Sequence, residues 1–405
     1  MSNKELIFSR FPLLERAGGP PTYLYNLYRG LQEITGESEG STFRQNKLEI
    51  KFITGQIRKA EGLARKHSVK LKNLSGSVFP SFLAYDFYQG AKNFIFRREI
   101  KELKAEIRES NSLYLNTVLD YPVLKPLASN NQTKLLTIHS PESIVKEFSK
   151  YSLLAKAKLQ VSQIERAAIN WTDVFIYPCE EALEAHFKVF PYLEELVKRK
   201  RVIFYPSGVQ KLQISTPKGK IRKQLGIPED AFVVSFLGRH IEVKGFDLLI
   251  QALSKLNQGL EAPRIHLLSA GKGHLLQEYG QNPLLRRFWH HLEWTNFPGD
   301  LVNASDLFVL ANRKSFFDLV LLETMSIGKP IISTDVGGLR FITRSSKGII
   351  CIRPTVNDLM DSIFYVYSSN LETRARMAKE NLSSYEKNYS LTAFALNHLN
   401  AVAAL

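Results

Sequence analysis

Short, mostly apolar segments that end at glycine or polar loops recur through the second half of the chain. They are Phe232–Leu237, Arg264–Ser269, Leu307–Leu310 and Pro330–Ser333. Successive side chains of a strand point to opposite faces of the sheet, so a nearly unbroken apolar run predicts a strand buried on both faces. Amphipathic helix patterns lie between these segments. The second half is therefore predicted to be an α/β domain with a parallel sheet.

The first half of the chain shows the same alternation. Leu6–Phe8 reads as a short strand, and residues 23–31 carry Tyr23, Leu24, Leu27 and Leu31 at helical spacing. Further strands are predicted at Leu48–Thr54, Leu113–Val118, Leu135–His139 and Asp173–Tyr177. We therefore predict two doubly wound, Rossmann-like domains. Facing each other, two such halves would form a cleft, and ligands of parallel sheets bind outside the carboxyl ends of the strands.

The domain boundary is predicted within a basic connector. Residues 198–223 contain nine basic and no acidic side chains, and they include Pro206 and Pro217. The chain of 405 residues suits two domains. The first is predicted over 1–205 and the second over 206–380. Residues 381–405 are predicted to form a helix that packs back toward the first domain, with Phe394, Leu396, Leu399 and Val402 on one side.

The composition narrows the class of partner. The formal net charge is +15, and residues 51–100 hold ten basic and three acidic side chains. A positive surface favours nucleotide phosphates, anionic lipid headgroups or nucleic acid. The stretch 51–108, which also carries Phe94 and Phe96, is read either as a surface for an anionic membrane or polyanionic acceptor, or as a solvated helix face.

The cellular location is also constrained. Two cysteines are too few for a disulfide scaffold, which favours a reducing compartment. The amino terminus lacks the features of a secretory signal, and no apolar run reaches the roughly 18–20 residues of a membrane span. We therefore expect a cytoplasmic protein, with peripheral association with the cytoplasmic face of the membrane as an alternative.

The segment 313–341 is the strongest candidate site. Phe316–Leu319 is predicted to precede or start a helix, where free backbone N–H groups can hold a phosphate. Glu323 follows about one turn later, and its carboxylate can accept two hydrogen bonds from a vicinal diol such as a ribose. Asp335–Gly338 then offers a loop that a ligand can approach closely. An ordinary strand-to-helix junction with a solvated glutamate is the alternative.

A second candidate lies at 237–253. Gly238 ends a predicted strand, and Arg239 and Lys244 follow it in the loop before an amphipathic helix. The planar fork of arginine and the point charge of lysine together suit a diphosphate. The alternative is two cations on a solvated loop.

Two weaker candidates lie in the first half. Gly18 and Gly19 follow the first predicted strand and would let a phosphate or an acceptor approach the first helix, although the pair could equally be a simple turn. His139 is predicted to end a strand, from where it could bind a sugar hydroxyl. The sequence has no Asp-x-Asp, no phosphate-loop motif and no zinc-helix motif, so no metal site is predicted.

Taken in order, these segments resemble the family 4 retaining glycosyltransferases of the GT-B architecture, in which two Rossmann-like domains face each other across a cleft. The resemblance runs over most of the chain and is most specific in 319–338 and 237–253, while Pro206–Val209 is similar to a turn that opens the family's second domain. It implies transfer of a sugar, hexosyl in type, from a nucleotide-diphosphate sugar to an acceptor hydroxyl. No cofactor or metal is expected.

The resemblance also implies roles for single residues. Residues 1–205 would bind a glycan, lipid-linked or other acceptor, and 206–380 the nucleotide sugar. Arg239 and Lys244 would stabilise the leaving diphosphate, Glu323 would hold the ribose, and His139 would contact the donor sugar. The remaining donor-binding residues would be Gly18, Gly19, Gly238, Ser315, Phe317, Asp318, Leu319 and Val320.

The sequence departs from the family pattern at one point. Members carry Glu-x7-Glu, with Gly-Phe-Gly after the first glutamate; here Ser315 stands at that first glutamate and is followed by Phe316, Phe317 and Asp318. Asp318 could assume part of the polar role. The departure keeps a catalytically silent relative that supports a partner transferase open as an alternative. A basic nucleic-acid-binding protein is a weaker one, because the sequence shows no recognised nucleic-acid module.

Overall fold

The computed structural model describes residues 3–9, 13, 19–37, 42–45, 48–54, 103–149, 155–259, 261–293 and 295–405. These residues divide into two compact units. Unit 1 consists of 1–206 together with 394–405, and unit 2 consists of 207–393. Gly18 and residues 55–102, which include Phe94, Phe96 and most of the basic stretch, lie outside the described residues.

Unit 1 is built on a seven-stranded sheet. Its strands are β1 Asn3–Ser9, β2 Thr42–Gln45, β3 Leu48–Thr54, β4 Ser112–Leu115, β5 Thr133–Thr137, β6 Val174–Tyr177 and β7 Arg201–Phe204. They lie in the order β2-β3-β1-β4-β5-β6-β7, and among these described strands β2 and β3 form the one antiparallel pair. The carboxyl ends of β1, β4 and β5 therefore meet at one edge.

The helices of unit 1 pack apolar side chains on this sheet. They are α1 Gly19–Thr35, α2 Lys104–Glu109, α3 Tyr121–Leu124, α4 Ile144–Ser149, α5 Ala155–Trp171, α6 Glu180–Val189 and α7 Pro191–Val197, with a 3-10 turn at Val118–Asp120. Phe394 and Val402 of the terminal helix are buried in the same apolar cluster as Ile7, Tyr23 and Leu27. The last residues of the chain thus complete the core of unit 1.

Unit 2 contains a six-stranded sheet. Its strands are β8 Phe232–Leu237, β9 Ile265–Ala270, β10 Trp289–Leu292, β11 Leu307–Leu310, β12 Ile331–Thr334 and β13 Ile349–Ile352. All are parallel, in the order β10-β9-β8-β11-β12-β13. Val234 and Phe236 enter one apolar cluster and Val233 and Leu237 another, so the sheet is covered on both faces, as the continuous apolar runs predict.

The helices that cover this sheet alternate with its strands along the chain. They are α8 Lys218–Gln224, α9 Phe246–Leu256, α10 Leu275–Tyr279, α11 Pro283–Arg286, α12 Pro298–Ala304, α13 Leu319–Met325, α14 Leu339–Arg344, α15 Val356–Ser368 and α16 Leu371–Asn388, with a 3-10 turn at Glu242–Lys244. The terminal helix α17 spans Leu391–Ala403 and joins unit 1 from Phe394 onward.

Three predicted features differ from the structure. The connector 198–223 holds β7 and most of α8; β7 is a four-residue edge strand whose ends, Arg201 and Phe204, are exposed, and its apolar run is limited to residues 202–204. β5 ends at Thr137, so His139 lies two residues beyond the strand instead of ending it. β4 likewise ends at Leu115, before the 3-10 turn that contains Val118.

The single helix predicted over 381–405 is two helices. α16 ends at Asn388, and Ser390 accepts the backbone N–H of Ala393 at 3.2 Å, which caps the start of α17. Leu396 is 41% exposed and lies off the buried face, whose spacing of four residues runs through Phe394, His398 and Val402. The structural units divide at 206/207 and 393/394, where the sequence analysis expected divisions at 205/206 and 380/381.

Candidate functional site

Three loops of unit 2 meet at the carboxyl edge of its sheet. They follow β8, β11 and β12, and they are the loops that the sequence analysis selected. The backbone N–H of Arg313 donates to the carbonyl of Val243 at 2.9 Å, and that of Gly338 donates to Phe316 at 3.0 Å. The Thr334 hydroxyl donates to the carbonyl of Asn312 at 2.7 Å. Residues 313–341 and 237–253 therefore form one continuous surface within this unit.

Glycine permits the close approach of these loops. Gly245 has φ +67°, and a Cβ there would collide with the carbonyl of Ala311. Gly337 has φ +51°, and a Cβ there would collide with the carbonyl of Ser315. Both positions lie in the left-handed region, where a side chain is strained even without a collision. Substitution at either glycine would push two of the site loops apart.

Arg313 ties the loop after β11 to the start of α9. Its guanidinium makes two hydrogen bonds of 2.6 Å with the carboxylate of Asp247, and a third, of 2.5 Å, with the backbone carbonyl of Glu242. A bidentate pair fixes orientation as well as distance. Arg313 was not selected as a site residue from the sequence, because its partner is 66 residues away in the chain.

Lys244 is engaged by a carboxylate. Its ammonium binds Asp318 Oδ2, and the amide of Asn312 donates to the same oxygen at 2.9 Å. The side chains of Lys244 and Asp318 are 22% and 12% exposed. Burial pushes the pKa of Asp318 upward, but the charge and hydrogen bond of Lys244, aided by Asn312, hold it below its ordinary value. The predicted phosphate-binding lysine is thus paired with the residue that replaces a family glycine.

Arg239 differs from Lys244 in its surroundings. It is exposed, and its side chain makes no hydrogen bond or ion pair with the residues that the structure describes. Gly238, just before it, has φ +146°, and its N–H donates to Ala270 at 3.0 Å, which ties the loop to the end of β9. Within unit 2, Arg239 is a cation on a fixed loop with no internal anion to satisfy it.

The remaining predicted residues of unit 2 lie before or within α13. Asp318 immediately precedes this helix, which begins at Leu319, and Glu323 is its fifth residue. Ser315, Phe317, Leu319, Val320 and Glu323 are all half-buried, whereas Leu321 and Leu322 face the core. Glu323 therefore lies on the side of the helix that solvent reaches, and Leu319 and Val320 keep partial exposure while they pack against the core.

In unit 1 the structure joins His139, through Asn116, to the start of α1. His139 Nε2 lies 2.8 Å from Asn116 Oδ1, and Asn116 Nδ2 donates to the carbonyl of Pro20 at 3.2 Å. Gly19, next to Pro20, is exposed. Burial lowers the pKa of His139 to about 4. The sequence analysis missed Asn116, because it lay inside the predicted strand Leu113–Val118, whereas the observed β4 ends at Leu115.

Comparisons with known proteins agree with this architecture. Sucrose-phosphate synthase from Thermosynechococcus elongatus matches over 100% of this chain and 99% of its own, with a TM-score of 0.65 and 18% identity. Anabaena Alr3699/HepE, solved with UDP-glucose, matches over 99% and 100%, with a TM-score of 0.63 and 15% identity. The chain has the GT-B fold. The predicted fold class is confirmed.

The family model matches the second half of the chain. Residues 217–383 match the family model described as glycosyl transferases group 1. D-inositol 3-phosphate glycosyltransferase of Geodermatophilus obscurus is 31% identical over 169 residues, 36% of this chain and 35% of that protein. The lipopolysaccharide core mannosyltransferase LpsB of Rhizobium meliloti is 25% identical over 256 residues, 59% and 70% of the two chains.

The curated relatives are matched only in part. The chain covers 35% and 46% of the length of two inositol-phosphate glycosyltransferases that it matches. Among the described residues, no helix combines the length and the apolar character of a membrane span.

Proposed function

We propose that this chain is a family 4 retaining glycosyltransferase. It transfers a hexosyl group from a nucleotide-diphosphate sugar to an acceptor hydroxyl, in the synthesis of a surface polysaccharide, a glycolipid or another glycoconjugate. The observation that carries the proposal is the convergence of the loops after β8, β11 and β12, with Arg239 exposed on the first of them. Ligands of parallel sheets bind at this edge.

The donor roles follow from this placement. Arg239 binds the diphosphate from a loop where no described residue competes for it, and Lys244 joins it by exchanging the Asp318 carboxylate for a phosphate oxygen. Glu323 accepts the ribose hydroxyls from the solvent-reached side of α13, and the backbone around Phe317 and Leu319 lies beside the phosphates. No metal or cofactor is expected.

The mechanism needs no strong protein base. The acceptor hydroxyl attacks from the face that the nucleotide leaves, a β-phosphate oxygen takes its proton, and the configuration at the sugar is retained. Arg239 and Lys244 stabilise the charge that develops on the diphosphate. Lys244 is held near the edge of the sheet by Asp318 before the donor arrives, so little reorganisation is needed to deliver its charge.

A catalytically silent relative is the second candidate. Ser315 replaces a sugar-contacting glutamate, and Asp318 pairs with Lys244 where a donor phosphate would bind. A silent chain would neither transfer the sugar nor hydrolyse the donor, and it would act by supporting a partner transferase. Cytoplasmic location, peripheral membrane association and a lipid-linked or glycan acceptor are proposals of the same standing.

The test begins with the donor. Thermal unfolding would be measured with UDP-, GDP- and ADP-sugars, because a ligand of the folded state raises its stability by mass action. Arg239→Ala is expected to weaken binding of the stabilising donor by about 10- to 100-fold, the loss of one or two charged hydrogen bonds. Arg264→Ala is the matched control, since Arg264 is exposed and lies at the opposite edge of the same sheet.

Sugar transfer is then followed with the donor that binds. Equal loss of affinity in Arg239→Ala and Arg264→Ala would show that general surface charge, and not the site loop, holds the donor. Binding without transfer or donor hydrolysis would favour the silent relative. Failure of every nucleotide sugar to bind would refute the proposed function.

A further inference from the structure

One buried serine joins two strands and a loop of unit 2. Ser269 lies in β9, is 0% exposed, and its hydroxyl is within hydrogen-bonding distance of three side-chain nitrogens. Trp289 Nε1 donates to it at 2.8 Å, His240 Nε2 lies 3.0 Å away, and His291 Nδ1 lies 3.2 Å away. Trp289 and His291 belong to β10, whereas His240 follows Arg239 in the loop after β8. The serine therefore connects an edge strand to the loop that carries Arg239.

The three neighbours use every hydrogen-bonding position of this hydroxyl, which has one proton and two lone pairs. The indole N–H of Trp289 can only donate, so it takes one lone pair. One of the two histidines must then donate to the second lone pair, and the other must accept the hydroxyl proton. Burial lowers the pKa of His240 to about 3 and also lowers that of His291, so both rings are neutral at pH 7 and can take these two roles. The hydroxyl is thereby fixed in orientation.

His240 is anchored by its ring and by its backbone. Its Nδ1 is buried without a hydrogen-bond partner, so Ser269 is the one hydrogen-bond partner of the ring among the described residues. The ring is buried and packs on Phe246, with centroids 4.2 Å apart. The backbone N–H of His240 donates to the carbonyl of Lys272 at 3.0 Å, and its carbonyl accepts the N–H of Leu275 at 3.3 Å. The loop after β8 is thus held at this residue.

Arg239 lies next to this anchored residue and points the other way. The side chain of Arg239 is exposed, whereas that of His240 is 0% exposed. A loop that is fixed before its ligand arrives loses less conformational entropy on binding than a loop that the ligand must order. The readiness of the Arg239 guanidinium for an anion therefore depends on the hydrogen bond that its neighbour makes with Ser269.

We infer that Ser269 is a positioning residue for diphosphate binding: through His240 it fixes the loop after β8, so that Arg239 is presented to the anion. This inference rests on the proposed function and concerns unit 2 alone. Ser269 is fully buried and acts without touching the ligand. Its contribution to donor affinity should therefore disappear when the Arg239 guanidinium is removed, whereas a general contribution to the fold would remain.

The contribution of Ser269 is measured by calorimetry on the full chain. The probe is UDP-glucose, GDP-mannose or ADP-glucose, whichever stabilises wild type. Ser269→Ala is expected to raise the Kd about three- to tenfold, the size of one hydrogen bond. Ser235→Ala is the matched control and should leave the Kd unchanged, because Ser235 is also 0% exposed in the same sheet but bonds to Ser305 and Leu307. A wild-type Kd in a folded Ser269→Ala would overturn the inference.

A double-variant cycle tests whether Ser269 acts through Arg239. In the Arg239→Ala background, Ser269→Ala is expected to change the Kd by less than about twofold. Losses that add fully in the double variant would show a general structural role and would overturn the positioning role. If Ser269→Ala fails to fold, His240→Leu removes the same hydrogen bond from its other partner and is carried through the same cycle.

Amide hydrogen exchange tests the loop without any ligand. In Ser269→Ala, exchange of the loop 238–245 is expected to be about three- to tenfold faster than in wild type, whereas Ser235→Ala should leave it unchanged. An unchanged rate in Ser269→Ala would overturn the inference and leave the transferase intact. If no nucleotide sugar binds wild type, the proposed function fails and diphosphate positioning fails with it, while the exchange rates still decide whether Ser269 fixes the loop.

Discussion

Removal of the Lys244 ammonium is expected to destabilise unit 2, because it leaves the buried carboxylate of Asp318 without its cation. Lys244→Met keeps most of the side-chain stem but leaves the Asp318 carboxylate with only neutral partners, the amide of Asn312 and the backbone N–H of Val320, among the described residues. Breaking one side of a fully buried pair costs about 3–5 kcal/mol. Here the two side chains keep 22% and 12% of their exposure and Asn312 still donates, so we expect a loss of about 2–3 kcal/mol.

The assay is equilibrium urea unfolding of three variants. Lys244→Met should lose the most stability, Asp318→Asn less, and the double variant less than the sum of the two, because it no longer buries an unpaired charge. Sugar-transfer data on Lys244 variants need this comparison, since a loss of folded protein would otherwise be read as a loss of diphosphate binding.

The pH dependence of the unfolding free energy is a second, independent test of the Lys244–Asp318 pair. In wild type the pKa of Asp318 is depressed, so the pair stabilises the fold above the unfolded carboxyl pKa of about 3.9, and this contribution is lost as the pH falls through the folded value. In Lys244→Met burial is opposed by the hydrogen bonds of Asn312 and Val320 but no longer by a cation, so the pKa of Asp318 rises above its wild-type value and the deficit should shrink as the pH falls from 7 toward about 4. A deficit below about 0.5 kcal/mol that does not change with pH would refute the argument.

Three further outcomes are expected. Burial lowers the pKa of Lys329 to about 8, so the unfolded chain binds this proton more tightly than the folded one between about pH 8 and 10.5. The free energy of unfolding, measured with urea at each pH, should therefore rise over that range by up to about 1.4 kcal/mol per pH unit relative to Lys329→Met. Gly245→Ala should cost at least about 2 kcal/mol more than Gly259→Ala, because both have positive φ but only the first Cβ meets Ala311. Asp318→Asn should bind a bare nucleoside diphosphate more tightly by about tenfold in calorimetry, since one anion is removed from the site.

The sequence predicted a strand best where the residues of that strand alone show that both of its faces are buried. β8 was predicted with its observed bounds, because Phe232–Leu237 is apolar at nearly every position and lies in the middle of the sheet. The edge strands were missed. β10 reads Trp-His-His-Leu, in which two histidines interrupt the apolar pattern, and the short apolar run of β7 at residues 202–204 follows directly on a basic stretch that was assigned to the connector. An edge strand gains much of its stability from one neighbour, and a local pattern does not show that neighbour.

The residues of the candidate site likewise fall into two groups, those whose role shows in the local sequence and those whose role depends on distant partners. Gly238 and Gly337 were visible in the sequence because backbone freedom is a local property, and the structure gives both a positive φ. The engagement of Lys244 by Asp318 was not visible. The two residues are 74 positions apart, and their meeting depends on β8 and β11 being neighbours in the sheet. Asn116 was missed for the same reason, since its partners lie on α1 and beyond β5.

The pairing of Lys244 also bears on how a donor could be accepted at all. An incoming diphosphate would give Lys244 one anion in place of another, so the exchange costs the lysine little. The cost falls on Asp318, which would lose its cation while a phosphate arrives nearby, and whose burial disfavours an unpaired charge. Asp318 can avoid that cost by accepting a hydroxyl from the donor sugar while Asn312 still donates to it. A nucleotide that carries a sugar would satisfy this requirement and a bare nucleoside diphosphate would not. The aspartate at this position would therefore favour the intact donor over the nucleotide product.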